Sequence, residues 1–124
     1  MGVYTPNLGL YKPDIGETDW GDKVNNNWDV LDAHKHLNVV KVTADYNAKD
    51  GDVVLVDASA GEVTVYLPTP SPNAIVLVKK IDNSLNSVNI NAGVCNIDGE
   101  PTKTINTQFE SYMFISDGEN WYIF

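Results

Sequence analysis

The chain's two histidines, His34 and His36, are the residues best suited to proton transfer or metal binding. They end a segment of helical period, and residues two apart in a helix point about 200° from each other, so one chain cannot offer both imidazoles to one metal. In an extended segment they would share a face. A serine or cysteine hydrolase needs a histidine oriented by a carboxylate, which two histidines at a helix end do not favour. We therefore expect no catalytic residue, no bound metal and no other cofactor.

Carboxylate pairs for general acid and base chemistry occur at Asp50 with Asp52 and at Asp98 with Glu100. Both pairs flank glycines, in the pattern of tight turns, whereas a catalytic acid needs an apolar pocket that raises its pKa. Their spacing does not follow that of an EF-hand calcium loop. We expect these acids to serve turns, and the protein not to be an enzyme.

Aromatic residues near strand ends are the remaining candidates for ligand contact. Tyr66, Trp121 and Tyr122 are candidate contacts for a glycan of a host cell surface, because aromatic rings stack on sugars. Large aromatic residues also dominate cores and subunit interfaces, and strand alternation places part of this set inward. The sequence leaves both interpretations open.

Charge and hydropathy exclude several classes of partner. The 124 residues carry a formal net charge of −9, from 17 acidic residues against 8 basic ones, all of them lysine. Nucleic-acid binding requires a basic face, and an anionic membrane surface is disfavoured for the same reason. The longest apolar run, residues 74–78, is too short to span a bilayer, and we expect neither membrane insertion nor a signal peptide.

Residues 1–17 form a predicted extended attachment segment with apolar and aromatic side chains to bury. It contains two prolines and has neither a helical nor an alternating period. Either it binds a groove on another chain or a neighbouring copy, or it packs back on its own domain. The anchor residues that we predict are Tyr4, Pro6, Leu8, Leu10, Tyr11 and Pro13.

An amphipathic helix is predicted over residues 18–37, with Thr18 as N-cap. At about 100° per residue, one stripe of this helix is apolar. Three consecutive asparagines at 25–27 are poor helix formers, so the helix needs a docking partner. The residues predicted to make this oligomer or docking contact are Trp20, Val24, Trp28 and Leu31.

From residue 38 to residue 124 the pattern predicts an all-β module. Short runs rich in β-branched and aromatic residues are separated by turn residues such as Asp50-Gly51 and Asp117-Gly118. The fold class is therefore mainly β, with a small antiparallel β-sandwich or barrel-like module. The predicted strands are 39–43, 52–57, 62–67, 74–81, 87–91, 102–106, 110–116 and 120–124.

Four of these strands are apolar on both faces, at residues 53–56, 75–78, 112–115 and 121–124. A lone module of this size has little means of covering both faces of so many strands. We therefore expect burial between subunits, in trimeric or dimeric packing along an axis, with a homotrimer as the expected assembly.

Two stretches resemble bacteriophage appendage proteins. The segments 5–13, 16–25 and 28–32, which include Thr5-Pro6-Asn7-Leu8-Gly9-Leu10-Tyr11 and Thr18-Asp19-Trp20-Gly21-Asp22, are similar to the N-terminal region of phage tail fibres. Segments 53–61, 63–68 and 116–122 resemble small β-modules of such fibres. The resemblance covers nearly the whole chain.

The resemblance implies a homotrimeric virion protein, assembled in the host cytoplasm and displayed on the particle surface. Its N-terminus would bind other virion proteins and its β-module would project outward. A short fibre, a decoration of head or tail, and an adaptor for another fibre all remain open, as does an adhesin module that recognises a host glycan. Three chains around an axis would also offer six imidazoles from His34 and His36, as in some phage spikes that bind iron.

Overall fold

The structure, a computed structural model, describes residues 3–4, 11–12 and 37–124. Two units are distinguished in the chain, Met1–His36 and Leu37–Phe124. In the first, strands β1 (Val3–Tyr4) and β2 (Tyr11–Lys12) pair antiparallel, with Tyr4 opposite Tyr11. The remainder of the attachment segment and the predicted helix lie outside the described residues, apart from Leu37, which belongs to no helix.

The second unit is mainly β, as the sequence predicts, and contains nine strands within residues 37–124. Each of the eight predicted strands is present, with boundaries shifted by at most two residues. The strands are β3 (Asn38–Val42), β4 (Tyr46–Asn47), β5 (Asp52–Val56), β6 (Val63–Tyr66), β7 (Pro72–Lys80), β8 (Val88–Asn91), β9 (Thr102–Ile105), β10 (Ser111–Asp117) and β11 (Trp121–Ile123).

The strands form two facing sheets, and the chain alternates between them. The five-stranded sheet has the order β11-β10-β7-β5-β3, and the four-stranded sheet has the order β4-β6-β8-β9. From β3 to β8 each strand is followed by one in the other sheet, so β3, β5 and β7 pair in parallel, as do β4, β6 and β8. The chain therefore winds as a short β-solenoid of three coils.

The predicted antiparallel sandwich is wrong in its connectivity. Antiparallel pairing is confined to the C-terminal part of the second unit, where β9, β10 and β11 complete the two sheets. Turn residues do separate the strands, but the bends at 43–45 and 57–62 carry the chain across to the opposite sheet instead of back beside the preceding strand. A turn signal gives the position of a bend and not the sheet that the next strand joins.

Acidic side chains connect successive coils at these bends. The carboxylate of Asp45 accepts a hydrogen bond from the Thr64 amide at 2.8 Å, and that of Asp50 accepts one from the Ile75 amide at 2.9 Å. Buried Asp52 accepts bonds from the Tyr46 hydroxyl at 2.7 Å and from the Lys49 amide at 2.8 Å. Carboxylates that accept these bonds satisfy backbone donors of the neighbouring strands and turns.

The hydrophobic core lies between the two sheets. It takes the inward residues of alternating strands, such as Val54, Val76 and Phe114 from one sheet and Val65 and Ile90 from the other, all fully buried. Trp121, at the start of β11, is also fully buried. Each sheet thus has one face in the core and one outer face.

Candidate interface on the five-stranded sheet

The four strands that are apolar on both faces all belong to the five-stranded sheet, where they lie side by side. They are β5, β7, β10 and β11, and the order of the sheet makes them neighbours. Their inward residues fill the core, so their other apolar residues share the outer face of one sheet. The sequence shows that each strand is two-sided, and the tertiary structure joins their outer sides into one surface.

Two rows of apolar side chains cross this sheet at right angles to the strands. The first row runs through Val39, Val53, Leu77 and Met113 to Phe124, whose amide bonds to the Met113 carbonyl at 2.9 Å. The second row is formed by Ile75, Ile115 and Tyr122. With Leu55 these residues define what we call the apolar face.

The exposure of the apolar face is highest at its margins. Val39 is 64% exposed, Tyr122 41% and Phe124 72%, and the central residues such as Leu77 and Met113 are half-buried by their neighbours in the sheet. With strands about 4.8 Å apart, five strands give a surface about 19 Å wide. A contiguous apolar patch on the outer face of a sheet is a candidate interaction site.

The outer face of the four-stranded sheet is polar and provides an internal comparison. One of its rows is Thr64, Asn89 and Thr104, in which the Thr104 hydroxyl bonds to the Asn89 carboxamide oxygen at 3.0 Å. The Asn89 amide in turn donates to the Glu62 carboxylate. One sheet thus presents hydrogen-bonding groups suited to water, whereas the other presents hydrocarbon.

The candidate glycan residues are not brought together. Trp121 is fully buried, so its ring is not available to a sugar, and the prediction that it contacts glycan is corrected. Tyr122 lies on the apolar face, whereas Tyr66 is 41% exposed on the other sheet. Strand alternation around Trp121 was the available signal, because Trp121 and Ile123 point to the side opposite Tyr122.

Tyr66 lies in a polar row of the four-stranded sheet. Its register neighbours are Asn47 on one side and Asn91 on the other, and Asn91 is paired in turn with Thr102. Near this sheet, a surface depression of about 480 Å³ is lined by Thr43, Ala44, Asp45, Ala60, Gly61 and Glu62. The carboxylates of Asp45 and Glu62 both accept hydrogen bonds from neighbouring strands.

Three of the four acids considered for catalysis accept backbone amide hydrogen bonds through their carboxylates. Asp50 and Asp52 accept the bonds described above, and Asp98 accepts one from the Ile123 amide at 3.2 Å. Among residues 37–124 and the two N-terminal strands, no three His, Cys, Asp or Glu residues are grouped so as to hold a metal ion. The part of the chain that the structure describes likewise contains no helix long and apolar enough to cross a membrane.

Most of the predicted anchor and docking residues lie outside the described residues. Tyr4 and Tyr11 belong to the β1 and β2 pair, and the other anchor residues, Pro6, Leu8, Leu10 and Pro13, lie outside the described residues. The same holds for Trp20, Val24, Trp28 and Leu31 and for His34 and His36.

Comparison with known proteins identifies no matching family model and no matching curated protein.

Proposed function

We propose that this protein is a homotrimeric structural component of a bacteriophage particle: a short fibre, decoration or adaptor subunit. It assembles through the apolar face and attaches to other virion proteins through residues 1–17. The observation that carries the assembly is the contrast between the two outer faces, one apolar over five strands and the other polar. The virion assignment rests on the resemblance of the N-terminal segments to phage appendage proteins.

Assembly through the apolar face has a physical reason. Burial of apolar surface stabilises an interface by roughly 25 cal/mol per Å², and this face exposes aliphatic and aromatic side chains in register across strands. A second copy offers the same apolar surface in return, so a closed symmetric oligomer covers every copy of the face at once. The polar outer face remains in water and needs no partner.

The oligomer is tested by light scattering coupled to size exclusion on the full chain. We expect a mass about three times the 13.6 kDa of one chain at micromolar concentration. The double variant Leu77→Gln, Met113→Gln places polar groups at the centre of the apolar face and should give a folded monomer. Thr64→Gln, Thr104→Gln on the polar face is the matched control and should stay trimeric. A wild-type monomer would rule out assembly.

The attachment role is tested separately. Deletion of residues 2–17 should abolish incorporation of the subunit into particles, while trimer formation by the β-module persists. Anchor substitutions Leu8→Asp and Leu10→Asp should reduce incorporation in the full-length chain. Normal incorporation of the deletion variant would remove the anchor from the proposal without affecting the assembly.

A second candidate function, a carbohydrate-binding adhesin module, is favoured by the row around Tyr66. An exposed ring beside amide and hydroxyl groups matches a sugar, which has an apolar ring face and a rim of hydroxyls. A glycan array probed with wild type and Tyr66→Ala separates the candidates. Binding that is lost with Tyr66→Ala and kept with Tyr122→Ala supports the adhesin, and the absence of binding by the assembled wild type leaves the structural role.

A further inference from the structure

The apolar face carries opposite charges at its two ends. The row beyond Val39 and Val53 contains Lys41 and Lys79, which project from the outer side of β3 and β7. At the other end of the strands, beyond Ile115 and Tyr122, lies the turn with Asp117 and Glu119. We call these the lysine end and the aspartate end.

The lysine end is built around two ammonium groups and one acid. The Lys79 ammonium lies 5.8 Å from the centre of the Phe109 ring, which is 58% exposed, and a cation–π contact of this kind holds the charge at the margin of the sheet. Asp57 lies near Lys41, and its carboxylate accepts a bond from the Ser59 amide at 3.0 Å. Glu110, which directly precedes β10, has Lys103 as its own neighbouring charge, so Lys41 and Lys79 against Asp57 leave this end positive.

The aspartate end surrounds Tyr122 with negative charge. The Asp117 carboxylate is fixed by bonds from the amides of Glu119 at 2.8 Å and Asn120 at 2.9 Å. The pKa of the Tyr122 hydroxyl is raised, chiefly by the charge of Asp117, then by burial and a hydrogen bond to Asp117, with smaller effects of Glu119 and Asp98. Three acids therefore lie close to one margin of the apolar face.

The size of the apolar face brings both ends into the interface. The face is about 19 Å wide across its five strands and about 13 Å long over three rows of outward residues, which contain Lys41, Val39 and Ile75. Its area is therefore well below the roughly 800 Å² per partner that a stable interface buries. A copy that packs on this face must therefore cover its margins as well. The charged ends then lie inside the contact or directly at its rim.

Symmetry decides which ends meet. The rotation axis can be parallel to the sheet and perpendicular to its strands. In that case the lysine end of one copy faces the aspartate end of the next, in a pair or in a ring of three. If the axis runs along the strands, lysine faces lysine and aspartate faces aspartate. Only the first arrangement pairs opposite charges, and juxtaposed like charges disfavour an interface.

We infer that copies of this chain pack head to tail across the apolar face, with Lys41 and Lys79 of one copy against Asp117 and Glu119 of the next. The inference rests on the proposed self-assembly and adds to it the contacting residues and the direction of the symmetry axis. The partner is a second copy of the same chain.

Charge reversal in the full-length chain tests this contact. The lysine-end variant is Lys41→Glu, Lys79→Glu, and the aspartate-end variant is Asp117→Asn, Glu119→Lys, in which Asn retains an acceptor for the turn amides. Each variant alone should weaken self-association at least tenfold, measured by sedimentation equilibrium. In the combined variant the acids introduced at the lysine end face an end that has lost its net negative charge, so the repulsion in the lysine-end variant is removed and association should recover relative to that variant.

Controls separate this contact from its alternatives. Thr102→Glu, Thr104→Glu adds negative charge on the polar face and should leave association unchanged, and circular dichroism checks that each variant is folded. Folded single-end variants that associate like wild type would overturn the head-to-tail contact while leaving assembly through the apolar face intact. A combined variant that associates no better than the lysine-end variant would do the same. A wild-type monomer would overturn the proposed function itself, and this contact with it.

Discussion

The ammonium of Lys80 lies 2.6 Å from the Asp82 carboxylate, and both side chains are almost completely excluded from water, with 0% and 7% of their surface exposed. The same carboxylate accepts bonds from the Ala58 amide at 2.8 Å and from the Ser84 amide and hydroxyl. The Ala58 carbonyl accepts a bond from the Asn86 side-chain amide at 2.8 Å. The end of β7 is thereby tied to the bend of the preceding coil.

Removal of one partner of this buried pair should be costly. Asp82→Ala leaves the Lys80 ammonium buried without its counterion, and we expect a loss of about 3 to 5 kcal/mol in the free energy of unfolding. The double variant Lys80→Met, Asp82→Leu removes both charges and should lose less than the single variant. Urea unfolding of both variants and wild type measures the difference, and equal losses would contradict the pairing.

Asp82 should also make the free energy of unfolding depend on pH in the acid range. Burial by itself raises the pKa of this carboxyl, but the bonds from Lys80, Ser84 and Ala58 together hold it far below its ordinary value of 3.8. Because the pKa is depressed in the folded state, its contribution is fully present above about pH 4 and is lost as pH falls toward the folded pKa. Asp57, Glu110 and Asp117 also have depressed pKa values and add to the loss. Asp82→Asn should therefore show a shallower decline below pH 4 than wild type, measured by thermal unfolding.

Substitution of Trp121 should lower the free energy of unfolding, as expected for a core residue. Trp121→Ala opens a cavity where the ring is fully buried, and we expect a loss of about 3 to 5 kcal/mol. Trp121→Phe should lose less, because the buried indole Nε1 has no hydrogen-bond partner among the described residues and its removal leaves no group unsatisfied. Tyr122→Ala, one residue on, removes a side chain that is 41% exposed and should lose less than Trp121→Ala. Chemical denaturation of the three variants tests the order.

Gly118 should not tolerate a side chain. Its φ of +100° strains any other residue, and a Cβ there would lie 3.3 Å from Cγ of Pro72. We expect Gly118→Ala to cost about 1 to 3 kcal/mol. Gly61→Ala is the matched control, because no heavy atom lies within 4 Å of the added Cβ. Similar unfolding midpoints for the two variants would show that the β10 to β11 turn adapts without strain.

Within residues 37–124, eight of the nine strands could be predicted from the sequence. The eight predicted strands have period-2 or continuous apolar runs bounded by turn residues, and all eight are present. The missed strand, Tyr46–Asn47, has two residues and shows no period. It exists because Asn47 pairs with Tyr66 and because the Tyr46 hydroxyl bonds to Asp52, both contacts between coils.

The candidate site could be predicted only in part. The two-sided apolar runs at 53–56, 75–78, 112–115 and 121–124 indicate surface that a small module cannot cover, but not that these strands are neighbours. Residues 53 and 113 are 60 positions apart and become part of one row because β7 lies between β5 and β10. The polarity of the face, with Lys79 at one end and Asp117 at the other, likewise follows from strand register.

By itself the sequence determined the secondary structure of the β-module, its acidic character and the presence of surplus apolar surface, because side-chain period, turn chemistry and charge are local properties. The tertiary structure alone decided that the chain winds as coils, that Trp121 faces the core and that the apolar surplus forms one face. Those features depend on which sheet each strand joins after a bend, and that choice is made by contacts between residues far apart in the chain.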